Sequence, residues 1–507
     1  MTMMLTDPLR WWGQEAPNDA AITFDGRDTI TYGELDAWTD NTAHWLVDAG
    51  LKEGDRLGIV GVNSLEWCAV ALGAMKVGAI VAPYNHRLVA EELSHLVESS
   101  EPTIVVAGDE NRDRMEEVAH RGAAFSLLRI EDATPLRTAP RRPFERVEID
   151  EDSPAVIVYT SGTTSRPKGV ICTPRTVFGF IFEWSLMEPT WGKGAKMIFV
   201  LALAGMPGIL YALVQTLAHG GHLFMETGFE PELALRRLID EEIDIFMGVP
   251  VLFEQIASLP AFADAEFPAL KATTVGGARV AQPCLEAWLA KGVALRQIWG
   301  MTEVGGSVTA TNKEDAYRRP ESFGRGSVFT RIRVVRPDGT ECDPGEMGEI
   351  ICRGPAVTPG YWRNEAATKE ALVDGWMHSG DIGIRDEQGY VRMVDRMKDM
   401  IISGGYNIAP AELESVIGQL PAVEEVAVIA VDDDKFGETP AAIVRRTADL
   451  AATDVVAYCN HHLAGYKVPR YIVFVDEPLP RFASGKLAKR ELREKFASIP
   501  STHEKVR

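Results

Sequence analysis

R-L-G-I-V-G (56–61), W-C-A-V-A-L-G-A-M-K-V-G (67–78), A-I-V-A-P-Y (79–84), E-E-L-S-H-L-V-E (91–98) and T-I-V-V-A (103–107) follow one another with little between them. Short apolar runs of strand length alternate with segments of helical period, which predicts strand–helix–strand units and an α/β fold with a parallel sheet. From Gly324 onward the strands shorten and turn sequences such as P-D-G-T-E (337–341) and D-E-Q-G-Y (386–390) intervene, predicting a more antiparallel, β-rich subdomain. Beyond the charged stretch Asp395-Arg396-Met397-Lys398-Asp399, a helix near Pro410–Leu420 and strands at V-A-V-I-A-V (426–431) and Y-I-V-F-V (471–475) predict a small α+β unit. No fixed-period repeat is present.

A chain of 507 residues exceeds what one hydrophobic core usually supports, so about three structural units are expected. The formal charge of −21 opposes binding to a nucleic-acid backbone, which needs clustered Lys and Arg. An acidic protein can still hold ATP, given backbone donors, a few placed cations and a metal ion. Six cysteines lie without C-x-x-C spacing, which indicates neither a zinc site nor a disulfide framework and fits a reducing cytoplasm. The N-terminus has no signal-peptide pattern. Met197–Ala218 is uncharged over a membrane-spanning length, but Gly205, Pro207 and Gly208 interrupt it. We read M-I-F-V-L-A-L-A (197–204) as a buried strand and I-L-Y-A-L-V-Q-T-L-A (209–218) as a helix ending at His219-Gly220-Gly221, with no transmembrane segment.

Hydroxyls, glycine and lysine concentrate in Y-T-S-G-T-T-S-R-P-K-G (159–169), directly after the apolar run A-V-I-V. Such a loop can cradle phosphates: Gly162 permits close backbone approach, Ser161, Thr163 and Thr164 offer hydroxyls, and Lys168 adds charge. A polar surface turn is the plain alternative, and the spacing is not that of a Walker loop. Gly276-Gly277-Ala278 after A-T-T-V, and Trp299-Gly300-Met301-Thr302-Glu303 after L-R-Q-I, fall where strands should end, and open α/β sheets bind ligands there. A glycine pair with an aromatic can clamp a purine, and Glu303 is a candidate Mg²⁺ ligand beside substrate phosphates. Asp381, in H-S-G-D, can accept two hydrogen bonds from ribose hydroxyls, although an aspartate after glycine also serves simple turns.

Taken together, these segments resemble the adenylate-forming (AMP-binding) superfamily, which includes acyl- and aryl-CoA synthetases, adenylation domains of peptide synthetases and firefly-type luciferases. The resemblance runs from I-T-Y-G-E-L near Tyr32 through G-D-R-L, G-A-I-V-A-P-Y-N, the 159–169 loop, G-G-A, W-G-M-T-E, G-E-M-G-E-I, P-G-Y-W, H-S-G-D and D-R-M-K-D-M-I-I-S-G-G-Y-N-I-A-P-A-E-L-E to L-P-R-F-A-S-G-K. It implies an AMP-binding N-terminal domain over 1–395, a small mobile C-terminal lid domain over 396–507, and a hinge near 396–399 at Lys398. It further implies that Thr160, Ser161, Gly162, Thr163, Thr164 and Lys168 bind ATP phosphates, that Gly276, Gly277, Ala278, Trp299, Gly300 and Met301 flank adenine, and that Thr302 and Glu303 serve the α-phosphate and Mg²⁺. Asp381 and Arg396 would hold the ribose, Ser403, Gly404, Gly405 and Tyr406 would line the path for coenzyme A, and Lys486 would be the adenylation lysine. The acyl pocket would involve Gly205, Met206, Gly277 and Gly300.

The implied reaction is ligation of a carboxylic acid to CoA. The acid is activated by ATP and Mg²⁺ as an acyl-adenylate, with release of pyrophosphate, and the thiol of coenzyme A then displaces AMP. Three positions depart from the family pattern. Ser165 stands where glycine is usual, Phe482 replaces a threonine before the S-G-K loop, and Gly205 takes the place of a histidine near the acyl pocket. The uncharged surroundings of Gly205 suggest a hydrophobic acid, aromatic, alicyclic or medium-to-long aliphatic. An adenylation module loading a carrier protein is the runner-up, a luciferase is disfavoured, and a nucleotide sensor without catalysis is opposed by Glu303 and Lys486. Self-association as a homodimer stays open.

Overall fold

The computed structural model describes residues 3–160, 167–278, 280–306, 309–481 and 487–507. It divides into two compact units, one of Met1–Ile332 with Cys352–His378 and the other of Arg333–Ile351 with Ser379–Arg507.

The first unit carries two large sheets. One has six strands in the order Ser126–Arg129, Ile104–Ala107, Arg56–Val60, Ile80–Tyr84, Val156–Thr160, Lys168–Cys172, parallel until the last pair, which is an antiparallel hairpin. The helices 65–77 and 90–100 make the crossovers read from the sequence. Ser64 caps the first by accepting from the Trp67 amide at 3.0 Å, and Gly78, at φ +79°, ends it in the left-handed conformation. I-T-Y-G-E-L is itself a capping box: Thr31 Oγ1 accepts from the Glu34 amide at 3.3 Å while Glu34 Oε2 accepts from the Thr31 amide at 2.9 Å. Helix 32–48, started there, packs on helix 65–77 around a buried charge cluster. Lys76 Nζ lies 2.6 Å from both Asp36 and Asp40, and Arg141 reaches the outer oxygens of the same two carboxylates.

The other sheet has eight strands in the order Thr309–Ala310, Arg296–Trp299, Ala272–Val275, Ile245–Gly248, Lys196–Phe199, His222–Met225, Ala20–Phe24, Asp28–Thr31, parallel inside and antiparallel at both ends. One expectation needs correction here, and the helix after it is present but of an unexpected type. The strand expected over 197–204 ends at Phe199, because the side chain of Asn63 takes over the backbone beyond it, donating to the Leu201 carbonyl at 2.8 Å and accepting from the Leu203 amide at 2.9 Å. The helix that follows is a π-helix over Pro207–Gln215, passing into a short α-turn at Thr216–Ala218. No described helix is long and apolar enough to cross a membrane.

Strands Arg331–Val335, Met347–Arg353, Leu372–Val373, Trp376–Arg385 and Val391–Arg396 form a five-stranded sheet, with the expected antiparallel pairing of 376–385 with 372–373 and with 391–396. In the second unit, strands Val423–Asp433, Gly437–Arg446 and Tyr471–Val475 pack against helices Pro410–Ile417 and Ala452–His462, the α+β pattern read from the sequence. All six cysteines are buried and unpaired.

Candidate active site

In the first unit, three chain segments meet at the carboxyl ends of parallel strands. Strand 272–275 runs directly into Gly276-Gly277-Ala278, and its neighbour 296–299 ends on Trp299, so the two glycine-containing loops leave adjacent strands on the same side. Gly276 cannot carry a side chain without meeting Ile298 Cγ1 at 2.7 Å, and Gly277, at φ +85°, takes a turn that other residues resist. The Trp299 ring is buried and stacks on Phe323 at 5.6 Å, so its face is already occupied by protein. Thr302 and Glu303 then form a single 3₁₀ turn closed by Gly305.

The third segment is the hairpin of strands 156–160 and 168–172, in which Thr160 pairs with Lys168 and donates its hydroxyl to the Lys168 carbonyl at 3.5 Å. These two residues are the ends of the proposed phosphate loop. Ser161, Gly162, Thr163, Thr164 and the variant Ser165 lie outside the described residues.

P-G-Y-W (359–362) ties hairpin and turn together. Trp362 donates its amide to the Gly169 carbonyl at 2.7 Å, and the Ile171 amide donates to the Gly360 carbonyl at 3.1 Å. Tyr361 thereby sits between two expected site residues: Lys168 Nζ lies 5.1 Å from its ring centroid, and its hydroxyl donates to Glu303 Oε1 at 2.8 Å. Burial and the Glu303 carboxylate both push the Tyr361 phenol well above its ordinary pKa, so it stays a donor. The backbone of Glu303 is fixed as well, its carbonyl accepting from the Thr358 amide at 2.7 Å. Sequence reasoning gave Tyr361 no role. The tyrosine in P-G-Y-W was its only signal.

The second unit holds the other expected residues. Asp381 and Arg396 are cross-strand partners, with Arg396 Nε 3.4 Å from Asp381 Oδ1. Asp381 is buried and its amide donates to Ser379 Oγ at 3.0 Å. Lys398 lies in the 3₁₀ turn Met397–Asp399; burial lowers its pKa, with Asp399 pulling upward and Arg396 and Arg493 pushing further down. Ser403-Gly404-Gly405-Tyr406 is a hairpin whose exposed Tyr406 stacks on Tyr466 at 4.5 Å. Phe482 and Lys486 lie outside the described residues.

Comparison with known proteins accounts for this arrangement. Residues 9–362 match the family model "AMP-binding enzyme", and residues 412–486 match "AMP-binding enzyme C-terminal domain". The chain belongs to the AMP-binding enzyme family. A feruloyl-CoA synthase from Amycolatopsis sp. is 34% identical over 487 residues, 95% of this chain and 96% of that one. ATP-bound MatB from Rhodopseudomonas palustris superposes with a TM-score of 0.90 at 30% identity, covering 98% of this chain and 100% of that one. The O-succinylbenzoate coenzyme A synthetase MenE from Bacillus subtilis, in complex with ATP and magnesium ion, gives a TM-score of 0.88 at 26% identity, over 96% and 99% of the two chains. This AMP-binding enzyme lies in the CoA-synthetase branch: it joins a carboxylic acid to coenzyme A through an acyl-adenylate, at the expense of ATP. Its residues fit a Mg²⁺ ion. The carboxylate of Glu303, anchored by Tyr361, suits an ion otherwise held by substrate phosphates and water.

Proposed function

We propose that this AMP-binding enzyme activates a hydrophobic carboxylic acid, aromatic, alicyclic or medium-to-long aliphatic, and that the residues above divide the work in the following way. Thr160 to Lys168 bind the ATP phosphates, the backbone at 276–278 and 300–301 borders adenine, and Thr302 contacts the α-phosphate. Because the Trp299 ring is taken up by Phe323, its part in holding adenine is through the backbone. Glu303, oriented by Tyr361, is the carboxylate that would hold Mg²⁺, which supplies charge neutralisation on the ATP phosphates when bound.

A carboxylate is a poor acyl donor because its leaving group would be oxide. Attack of its oxygen on the α-phosphorus expels pyrophosphate and gives a mixed anhydride, from which the thiol of coenzyme A displaces AMP. Lys168 and Lys486 counter the charge that builds on phosphate oxygens in the first step. Asp381, with Arg396 beside it, accepts from the ribose hydroxyls. A hinge near 396–399 separates an N-terminal domain (1–395) from a C-terminal lid (396–507), and the 403–406 hairpin borders the path of coenzyme A. A cytoplasmic location agrees with six buried, unpaired thiols, and homodimerisation is a matter for sedimentation measurements.

The observation carrying this reading is the Tyr361–Glu303 hydrogen bond, which fixes one carboxylate beside the Thr160–Lys168 hairpin. For the acid, the support is the apolar wall near the turn: Met206 Cγ and the Tyr211 ring are what a side chain on Gly306 would meet, at 3.1 and 2.7 Å. The test is pyrophosphate release across a panel of acids. Hydrophobic acids are expected to be turned over, whereas efficient use of a small dicarboxylate alone would reject the assignment.

A further inference from the structure

A small cavity of about 10 Å³ lies in the first unit, between one face of the eight-stranded sheet and two helices; Trp184, Glu188, Tyr211, Gln215, Met247 and Thr274 are among its walls. Met247 and Thr274 are register partners on adjacent parallel strands. Thr274 shares its sheet face with Gly276, two residues on, where the adenine-side loop begins. The opposite wall is continuous too. Gly306, just past the Glu303 turn, abuts the Tyr211 ring and Met206, and the Tyr211 hydroxyl donates to the Gly305 carbonyl at 2.7 Å. Four residues beyond Tyr211, the same π-helix delivers Gln215 to the cavity. Strand 272–275 and Tyr211 therefore connect the walls of the cavity to the glycine loops.

Gln215 is 0% exposed, yet among the described residues neither its amide nitrogen nor its amide oxygen has a hydrogen-bond partner, and the Thr274 hydroxyl, 4% exposed, has none among them either. Buried amides are costly to leave unpaired and are almost always satisfied, so these groups call for a partner from outside the protein. The π-helix that carries Gln215 is a second sign, because π-turns are rare and often occur at functional sites. The chemistry of the partner follows from its neighbours. Glu188 is already committed, its carboxylate taken by Arg296 and by the Thr190 hydroxyl, so the cavity offers an incoming group no net charge to pair with. The partner is neutral, able to donate and accept, and about the size of one water molecule, which is what roughly 10 Å³ admits. A hydroxyl or carbonyl oxygen meets all three conditions. Met206 and Met247, unbranched and adaptable, border the carbon skeleton that would carry it.

We infer that Gln215 and Thr274 form a polar end to the acyl pocket, selecting hydrophobic acids with a neutral hydroxyl or carbonyl group far from the carboxylate. This rests on the acyl-CoA synthetase reading above. An acid ending in a methyl group or an unsubstituted ring would leave the Gln215 amide unpaired, and a site built to bond a hydroxyl discriminates strongly against the analogue lacking it.

The test is pyrophosphate release by the full chain with two matched pairs, 3-phenylpropenoic acid against its 4-hydroxy derivative and octanoic acid against 8-hydroxyoctanoic acid. In the wild-type protein kcat/KM is expected to favour the hydroxylated member of at least one pair by about 10-fold or more. Gln215→Leu should bring that ratio close to one, mainly by raising KM for the hydroxylated acid. Thr274→Val, a milder change should the first variant fold poorly, should move it the same way by a smaller factor. A wild-type preference for the unhydroxylated member of both pairs would overturn the inference. So would a hydroxyl preference unchanged in both folded variants, which would assign the cavity to a structural water alone. Absence of pyrophosphate with every acid is a different failure, since it would reject the ligase reading itself.

Discussion

Tyr361 does for Glu303 what an outer partner does for many metal-binding carboxylates: it takes one oxygen, at 2.8 Å, and so fixes the direction of the other. Two variants separate charge from orientation. Glu303→Gln keeps the shape but removes the charge proposed to anchor Mg²⁺ beside the ATP phosphates, so pyrophosphate release should fall, and raising Mg²⁺ should recover part of the loss. Tyr361→Phe keeps the charge and frees the carboxylate, and it should raise the Mg²⁺ requirement by about 10- to 100-fold, the usual effect of losing such a partner. Titrating Mg²⁺ against the rate of pyrophosphate release decides the matter, and an unchanged Mg²⁺ dependence in both variants would remove Glu303 from the metal role. A carboxylate in a glycine-rich segment after an apolar run can be picked out from the sequence on chemical grounds. Its tyrosine lies 58 residues further on, and only the pairing of P-G-Y-W with the 168–172 strand brings the two together. Gln215 was hidden differently, as one polar letter inside an apolar run.

At the scale of elements, the hairpin of Ile401–Ser403 and Tyr406–Ile408 turns on Gly404 at φ +57° and Gly405 at φ +83°, left-handed at both central positions as a two-residue hairpin of the I′ type requires. A side chain on Gly404 would meet Phe436 at 2.9 Å, whereas one on Gly405 would enter open space. Gly405→Leu therefore adds bulk where the path of coenzyme A is proposed, together with backbone strain of roughly 1–2 kcal/mol. Gly405→Asn is the control, because asparagine tolerates the left-handed region. With the half-reactions assayed separately, Gly405→Leu should impair thioester formation far more than adenylate formation, and Gly405→Asn should do so less. Equal loss in both steps would give the loop a structural role only. The glycine pair drew attention in the sequence only through its resemblance to the family pattern, since Gly220-Gly221, Gly276-Gly277 and Gly305-Gly306 are adjacent glycines too. The π-helix was not visible. Every residue from Gly208 to Gln215 is buried, so the run has no polar face whose spacing could separate one helical period from another. The strand at 196–199 was drawn too long for a related reason. Leu201 and Leu203 look like strand residues, but a distant asparagine satisfies their backbone.

For the molecule as a whole, a formal charge of −21 makes each placed cation count, and the one on which the proposed mechanism most depends is Lys486. The α/β order of the first unit could be read from alternating periods, but composition does not change at residues 395–396, where the hinge is proposed, and no periodicity marks such a point. The two half-reactions nonetheless make opposite demands. Adenylation needs positive charge at the α-phosphate and carboxylate, while thioester formation needs the thiol admitted to the same carbonyl. One lysine on a lid that changes position satisfies both by being present for the first step and absent for the second. If so, Lys486→Ala should slow acyl-adenylate formation by about two to three orders of magnitude, the usual loss when one well-placed transition-state stabiliser is removed. Supplying synthetic acyl-adenylate should bypass the defect and restore acyl-CoA formation to near the wild-type rate. A solvated lysine in a basic tail with Lys489 and Arg490 would leave both half-reactions almost unchanged. Equal loss in both would mean misfolding or a lysine that never leaves, and circular dichroism of the variant separates those two cases. Only a large loss confined to adenylation supports the alternating lid.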